Sequence, residues 1–367
     1  IIGILLPRSQ NLIIFMLGIL KAGCAYMLID SNLPDDRIKY MLKNSSSPLL
    51  FTCKDVKNVT FTNQCYIEEE DFEKYSNQNP SISYHLEDLF SVIYTSGSTG
   101  MPKGVMLKRK GVMNLLRNHQ LKMHTNECEN FISISTIAFD MFMVETFVPL
   151  LSGKTLVLTN EDEQKIPMIM AKIIEKYHID FILTTPSRID LLCTNPITEK
   201  CLNNLKVIQL GGEVFTAELY ERLSKLTKAY IYNAYGPTEI TACCSCKEVI
   251  NSQDITIGFP FEYAPIYICD KDMNLCPLGV PGEICVAGEG VAQGYVNQPQ
   301  LTQKSFISNP FGHGTLYKTG DIGYYSSIGE IHYIGREDFQ IKIRGLRVEL
   351  SEIEKRILEI PHITACS

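Results

Sequence analysis

The sequence predicts an α/β protein whose main body is built on mostly parallel, doubly wound sheets. Three observations carry that expectation. Apolar runs of strand length alternate with helical stretches between residues 131 and 233. Residues of unusual chemistry follow the ends of those strands, where ligands of such sheets sit. After Ile257 the pattern changes to short Gly-rich strands of antiparallel character, which fit a small barrel.

Taken in order, Asn11 to Ala22 reads as a buried helix that stops at Gly23 and feeds a strand ending near Asp30. Asp35 to Leu42 is a second helix, and residues 53–84 are polar and irregular. Leu89 to Tyr94 is a strand, Val112 to Leu121 a helix and Phe131 to Ser135 a strand. Phe139 and Asp140 follow on a loop before a helix over Met141 to Leu151. Strands at Thr155 to Leu158, Ile179 to Thr184, Leu205 to Leu210 and Ala229 to Asn233 then alternate with helices at Met168 to Tyr177, Ser187 to Leu192 and Thr216 to Leu226. In the last helix Leu219, Leu223 and Leu226 share one face. Near the end, Ile322 to Tyr325 and Glu330 to Ile334 form a hairpin. Phe339 to Ile343 is a strand, and Ser351 with Glu354 forms a capping box.

Composition sets bounds. The chain has 367 residues, 45% hydrophobic and 20% charged, ordinary values for a globular protein that buries a large core. A net charge of −7 argues against a nucleic-acid surface. The longest apolar run, Leu12 to Leu20, is too short to cross a bilayer, so no membrane partner is expected. The 13 cysteines are odd in number and scattered, with only Cys243, Cys244 and Cys246 clustered and none at zinc spacing. A reducing cytoplasm fits them better than a disulfide framework.

The stretch from Tyr94 to Gly104 places Thr95, Ser96, Gly97, Ser98, Thr99, Gly100 and Lys103 directly after a strand. Glycines let backbone N–H groups approach an anion, hydroxyls add donors, and a lysine adds a point charge. The spacing is not that of a Walker loop, and no helix opens at the lysine. A second cluster, Asn233-Ala234-Tyr235-Gly236-Pro237-Thr238-Glu239, also follows a strand. A Gly-Pro turn explains its centre but not its tyrosine, threonine and glutamate. Asp140 is equally compatible with a helix N-cap and with a carboxylate that pairs an ammonium.

The first cluster resembles the phosphate loop of the adenylate-forming superfamily, which includes acyl-CoA synthetases and luciferases. With the second cluster, the Gly282 to Tyr295 region, Tyr317 to Asp321 and Gly335 to Asp338, the chain resembles adenylation domains of nonribosomal peptide synthetases over essentially its whole length. Cys24, Leu28 and Phe142 depart from the family pattern. The resemblance implies that an amino acid is activated with ATP and Mg²⁺ as aminoacyl-AMP, releasing pyrophosphate. The acyl group then passes to the phosphopantetheine thiol of a carrier domain, with a condensation domain in the same synthetase. It implies that Thr95, Ser96, Ser98, Thr99 and Lys103 handle the outer phosphates, with Gly97 and Gly100 in the same loop. Tyr235 would stack on adenine, Thr238 bond the α-phosphate and Glu239 hold Mg²⁺. Asp321 and Arg336 would meet the ribose, and Gly212, Asn233 and Gly236 would complete the nucleotide site. Lys103, Thr238 and Glu239 are the expected catalytic residues. Asp140 would hold the α-amino group, and Met141, Val144, Arg188, Gln209, Gly211, Ala234, Ala242 and Cys243 would line a pocket for a medium-sized side chain with one polar group.

By the same resemblance, residues 1–337 are an incomplete N-terminal core. Residues 338–367 hold a hinge at Asp338 and the start of a small α+β C-terminal domain. The chain opens without Met and stops soon after a helix begins, so it is expected to be an excerpt of a longer polypeptide. The family's C-terminal lysine has no counterpart in it. Two alternatives stand beside this reading. Acyl-CoA ligation is disfavoured by Asp140, because a fatty or aryl acid has no ammonium to pair. The other is a catalytically silent ATP-binding scaffold.

Overall fold

Strand pairing in the computed structural model gathers most of the chain into three sheets, with a separate hairpin near the end. The structure describes all residues except 57, 58, 60, 98–100, 338, 339, 344, 345, 359, 361, 362, 364, 365 and 367. Ser98, Thr99, Gly100 and Asp338 therefore lie outside the described residues. The first sheet contains β1 (Ile2–Leu5), β2 (Tyr26–Leu28), β3 (Leu50–Thr52), β4 (Gln64–Tyr66), β5 (Leu89–Thr95) and β6 (Lys103–Lys108), in the order β4-β3-β1-β2-β5-β6. Every neighbour pair is parallel except β5 with β6, the hairpin that carries the glycine–hydroxyl loop.

The second sheet contains β7 (Asn130–Ser133), β8 (Thr155–Leu158), β9 (Phe181–Thr184), β10 (Val207–Gly211), β11 (Tyr230–Tyr235), β12 (Ser245–Glu248) and β13 (Phe259–Pro260). It runs parallel from β8 through β7, β9 and β10 to β11, and antiparallel at β12 and β13. Its central strand β9 is buried on both faces, as a doubly covered parallel sheet requires. Phe181 and Leu183 of β9 join one core and Ile182 the other. Helices Gln10–Lys21, Arg109–Lys122 and Asp140–Leu151 contribute to the core that also contains Ile4 and Leu28 of the first sheet and Phe131 of the second. Helices Pro167–Lys176, Pro186–Leu192 and Ala217–Leu226 cover the other face of the second sheet. Helix Asp35–Asn44 packs on the other face of the first, through Ile38, Met41 and Leu42. The doubly wound expectation holds for both sheets.

The third sheet is antiparallel, with β14 (Ile266–Cys269), β15 (Gly282–Ala287), β16 (Phe306–Ser308), β17 (Thr315–Tyr325) and β18 (Ile331–Arg336). In place of a closed barrel, its pairing follows β14-β15-β17-β16, with β18 beside the far half of β17. The hairpin expected after Asp321 is longer than the sequence suggests. Asp321 lies within β17 and pairs with Arg336 of β18, just past an irregularity at Thr319-Gly320-Asp321 where the ladder to β15 shifts register. Beyond residue 337, β19 (Gln340–Ile343) pairs only with β20 (Leu346–Glu349) among the described strands, and helix Leu350–Leu358 follows. That helix starts one residue ahead of Ser351, so Ser351 is not its N-cap.

A buried polar cluster fixes how helix Asp140–Leu151 meets β7. Glu145 is 1% exposed. Its carboxylate accepts from Ser133 Oγ at 2.7 Å, Ser135 Oγ at 2.6 Å and the N–H groups of Ile134 and Ser135 at 3.1 Å. Arg8 donates to the carbonyls of Ser133, Ser135 and Thr159 in the same cluster. Burial pushes the Glu145 carboxyl up, and the Arg8 charge opposes that push. Glu145→Ala leaves two backbone donors unpaired and strips Arg8 of its counter-charge. We expect a loss of about 3–5 kcal/mol, read as a lowered urea midpoint.

Candidate active site

The site begins where strands end. β5 and β6 pair Thr95 with Lys103, which fixes the ends of the intervening loop. Gly97 is needed inside that loop, because a Cβ there would lie 2.2 Å from the Met101 carbonyl oxygen. β10 ends at Gly211 and β11 at Tyr235, and Gln209, Gly211 and Gly212 at the first end and Ala234, Gly236 and Pro237 at the second line a common cavity of about 660 Å³. Gly236 permits the next turn, since a Cβ would come within 2.6 Å of Cys243 Cα. Thr241 and Ala242 both hold positive φ, 59° and 67°, a strained pair that brings Ala242 and Cys243 to the cavity wall.

Most of the expected site residues line this cavity. Thr95, Ser96, Gly212, Gly236 and Thr238 lie on it with Asp321 and Arg336. So do Asp140, Met141, Val144, Gln209, Gly211, Ala234, Ala242 and Cys243. Asp140 is the first residue of its helix, after Phe139 at the N-cap. Its Oδ2 accepts from Thr238 Oγ1 at 2.7 Å, joining residues 98 positions apart in sequence. Asp321 is held on both oxygens: Tyr235 donates to Oδ2 at 2.5 Å, and Arg336 donates to Oδ1 at 2.8 Å from the facing strand. Burial, followed by the Asp321 charge, pushes the Tyr235 phenol well above its ordinary range, so it stays a donor.

Lys103 and Glu239 come together beneath the cavity wall. The ammonium lies 2.8 Å from Glu239 Oε1 and 3.0 Å from the Tyr295 hydroxyl, and that hydroxyl donates to the same carboxylate oxygen at 2.9 Å. Lys103 is 7% exposed and Glu239 fully buried. Tyr235 and Gly97 are likewise buried and do not line the cavity. Asn233 donates to the Thr256 carbonyl at 2.8 Å and belongs to the packing behind β11. Arg188 turns away from the cavity and donates to the Ile134 carbonyl at 2.7 Å, in the field of Glu145.

Sequence reasoning missed Tyr295 and His119. Tyr295 sits in the Gly-rich Val291 to Tyr295 stretch, where barrel geometry alone explained the residues. Its signal was a bulky phenol next to Gly294, whose φ is 130°. His119 follows Val112, Leu115 and Leu116 at helical spacing, a polar side chain on an otherwise apolar face. It lines the cavity and contacts Gln209. The cysteine cluster is structural. Cys243 Sγ bonds the Ser245 carbonyl, burial raises that thiol to about 12, and none of the thirteen cysteines forms a disulfide.

A family profile described as AMP-binding enzyme matches residues 1–296. The chain belongs to this family. Gramicidin S synthase 2 of Brevibacillus brevis is 36% identical over 367 residues, taking in 99% of this chain and 8% of the synthase. Bacitracin synthase 3 of Bacillus licheniformis is 37% identical over 373 residues, covering 99% of this chain and 6% of that protein. The AMP-binding enzyme therefore spans under a tenth of the length of these curated relatives. In three dimensions it resembles PA1221, solved as an NRPS protein containing adenylation and PCP domains and bound to a vinylsulfonamide inhibitor. The TM-score is 0.89 at 25% identity, over 100% of this chain and 64% of that one. Among the described residues, no helix of the enzyme is long and apolar enough to cross a membrane.

Buried His119 carries a pH signature. Its Nδ1 faces the Leu115 carbonyl at 3.0 Å, and burial lowers its pKa from 6.5 to about 4. Between those values the unfolded chain binds more protons than the folded one, so stability falls as pH drops through that window. The loss is on the order of 3 kcal/mol at pH 4. Denaturant titrations at pH 7 and pH 4.5 should show it, and His119→Asn should lose less over the same interval.

Proposed function

We propose that this AMP-binding enzyme activates an amino acid as its adenylate and passes it to a carrier-protein thiol. The observation that carries this reading is the Asp140–Thr238 hydrogen bond at the cavity wall. A carboxylate that pairs an ammonium there sits beside a hydroxyl suited to a phosphate. The same cavity is lined by the apolar residues Met141 and Val144 and by Asp321 and Arg336. An amino acid whose amine rests on Asp140 has its carboxylate directed at the Thr238 side, where the α-phosphate of ATP would lie.

The reacting groups are both anionic, so the chain's task is to align and neutralise them. The substrate carboxylate oxygen bonds to the α-phosphorus, the α–β bridging bond breaks, and pyrophosphate leaves. Thr238 donates to the α-phosphoryl oxygens. Thr95, Ser96 and Lys103 hold the leaving pyrophosphate, with Ser98, Thr99 and the loop glycines 97 and 100. The Thr95 hydroxyl is buried and has no partner among the described residues, which suits an anion acceptor. Asp321 accepts from the ribose hydroxyls and Arg336 adds positive charge. Tyr235, under the same wall, supports the adenine edge with Gly212, Gly236 and Asn233.

Among the described residues no group of three or more His, Cys, Asp and Glu gathers to bind a metal. One carboxylate beside a hydroxyl is the donor set expected for Mg²⁺, which takes its remaining ligands from phosphates and water. Glu239, now paired with Lys103 beneath the wall, would hold it by exchanging that partner for the ion, which would supply charge neutralisation. In the second half-reaction a phosphopantetheine thiolate forms the thioester bond and AMP leaves. Residues 338–367, which begin at Asp338 and carry their own hairpin, would be the part of a second small domain that turns between the steps. A carrier domain, and a condensation domain beyond it, would be the partners in the parent synthetase.

ATP–pyrophosphate exchange by the full-length protein tests this reading: at least one amino acid should drive it, and exchange driven only by acids without an amine would contradict it. Asp140→Ala should cut amino-acid-dependent exchange roughly 100-fold or more, since an unpaired buried ammonium costs about 3 kcal/mol. ATP affinity should change little, as isothermal titration with the nucleotide would check.

A further inference from the structure

Gln209 is 2% exposed, lines the cavity, and leaves one polar atom unused. Its Nε2 lies 3.1 Å from His119 Nε2. The orientation of that amide is fixed by the histidine. His119 Nδ1 faces the Leu115 carbonyl, which can only accept, so Nδ1 carries the proton and Nε2 is a bare acceptor. The buried ring stays neutral, because burial holds its pKa near 4. The amide nitrogen must therefore face the ring, and Gln209 Oε1 is left with no hydrogen-bond partner among the described residues. A buried carbonyl acceptor without a partner is unfavourable unless something else supplies a donor.

The surroundings say what that donor belongs to. Gly211 lies two residues along β10, on the same face as Gln209, and it lines the cavity opposite Ala234. With no side chain there, the path from the cavity to Gln209 is open. Val144 stands one helical turn from Asp140, and with Met141, Leu183 and Cys243 it gives an apolar wall. A charged side chain entering this space would lose its hydration, and the one opposite charge among these residues, Asp140, is taken by the substrate's α-amino group. A carboxylate would also face an acceptor.

We infer that the enzyme selects an amino acid whose uncharged side chain ends in an N–H or O–H donor that meets Gln209 Oε1. This rests on the amino-acid adenylation reading above. The class includes carboxamide and hydroxyl side chains and excludes aliphatic, acidic and basic ones. His119 acts as a positioning residue, holding the amide so that its oxygen, not its nitrogen, faces the substrate.

The test is ATP–pyrophosphate exchange by the full-length protein with matched pairs: threonine against valine, asparagine against leucine, glutamine against methionine. In the favoured pair the donor-bearing member should lead by roughly 10–100-fold in kcat/KM, because its isostere leaves the Gln209 carbonyl unpaired. Gln209→Leu should bring that ratio to within a few-fold. The wild-type ratio decides even if a variant fails to fold. Preference for valine, leucine, methionine, phenylalanine, aspartate, glutamate or lysine would overturn the inference and leave adenylation standing. Absence of exchange with every amino acid would instead remove the adenylation reading, and the inference with it.

Discussion

Lys103 and Glu239 stand 136 residues apart in the chain, yet form a buried ion pair of 2.8 Å that shares the Tyr295 hydroxyl. Each partner comes from a different part of the fold. Lys103 opens β6 of the first sheet, Glu239 lies just beyond β11 of the second, and Tyr295 follows β15 of the third and bridges Val105. Two charges withdrawn from water are tolerated only when geometry and extra hydrogen bonds compensate them. The three segments cannot shift independently without leaving a buried charge exposed to an apolar surround. The cavity lies above them, and the loop ends on its wall are held by this constraint. Lys103 also lies 4.6 Å from the centre of the Tyr295 ring, a cation–π contact that adds to the pin.

The rest of the site follows from strand ends held in register around that pin. β9, β10 and β11 run parallel, so their carboxyl ends open on one edge of the sheet. The residues beyond those ends reach the cavity from one side, and β5 with its loop reaches it from the other. Asp321 and Arg336 come from a third direction, as facing residues of an antiparallel pair. A carboxylate that binds a hydroxyl-rich ligand needs such fixing, and the Tyr235 and Arg336 contacts supply it. The C-terminal residues Gln340, Glu349, Ile353 and Ile357 close the remaining side.

Much of this was legible in the sequence, for reasons tied to periodicity. Thr155–Leu158 coincides with the expected strand, and helices such as Pro167–Lys176 fall within a residue of expectation, because their apolar spacing reflects burial on known faces. The glycine–hydroxyl loop and the Asn233 to Glu239 corner were visible because local turn chemistry could not explain their residues. Asp140 was ambiguous in sequence, since N-capping and ligand binding ask for the same residue type. Only the distant Thr238 hydroxyl separates the two. Arg188 and Asn233 were expected in the site and lie behind it, because partners 54 and 23 residues away claim their side chains. Tyr295 and His119 stayed hidden for the same reason: their partners are set by the fold and not by neighbouring residues.

The central claim is that nucleotide and amino acid meet at the Asp140–Thr238 contact. A crystal structure of the full-length protein with a non-hydrolysable aminoacyl-adenylate analogue tests it most directly. The account places the analogue's amine on Asp140, its phosphate surrogate on Thr238 and its ribose on Asp321. An analogue bound with its amine away from Asp140, or outside the cavity between the first two sheets, would contradict it.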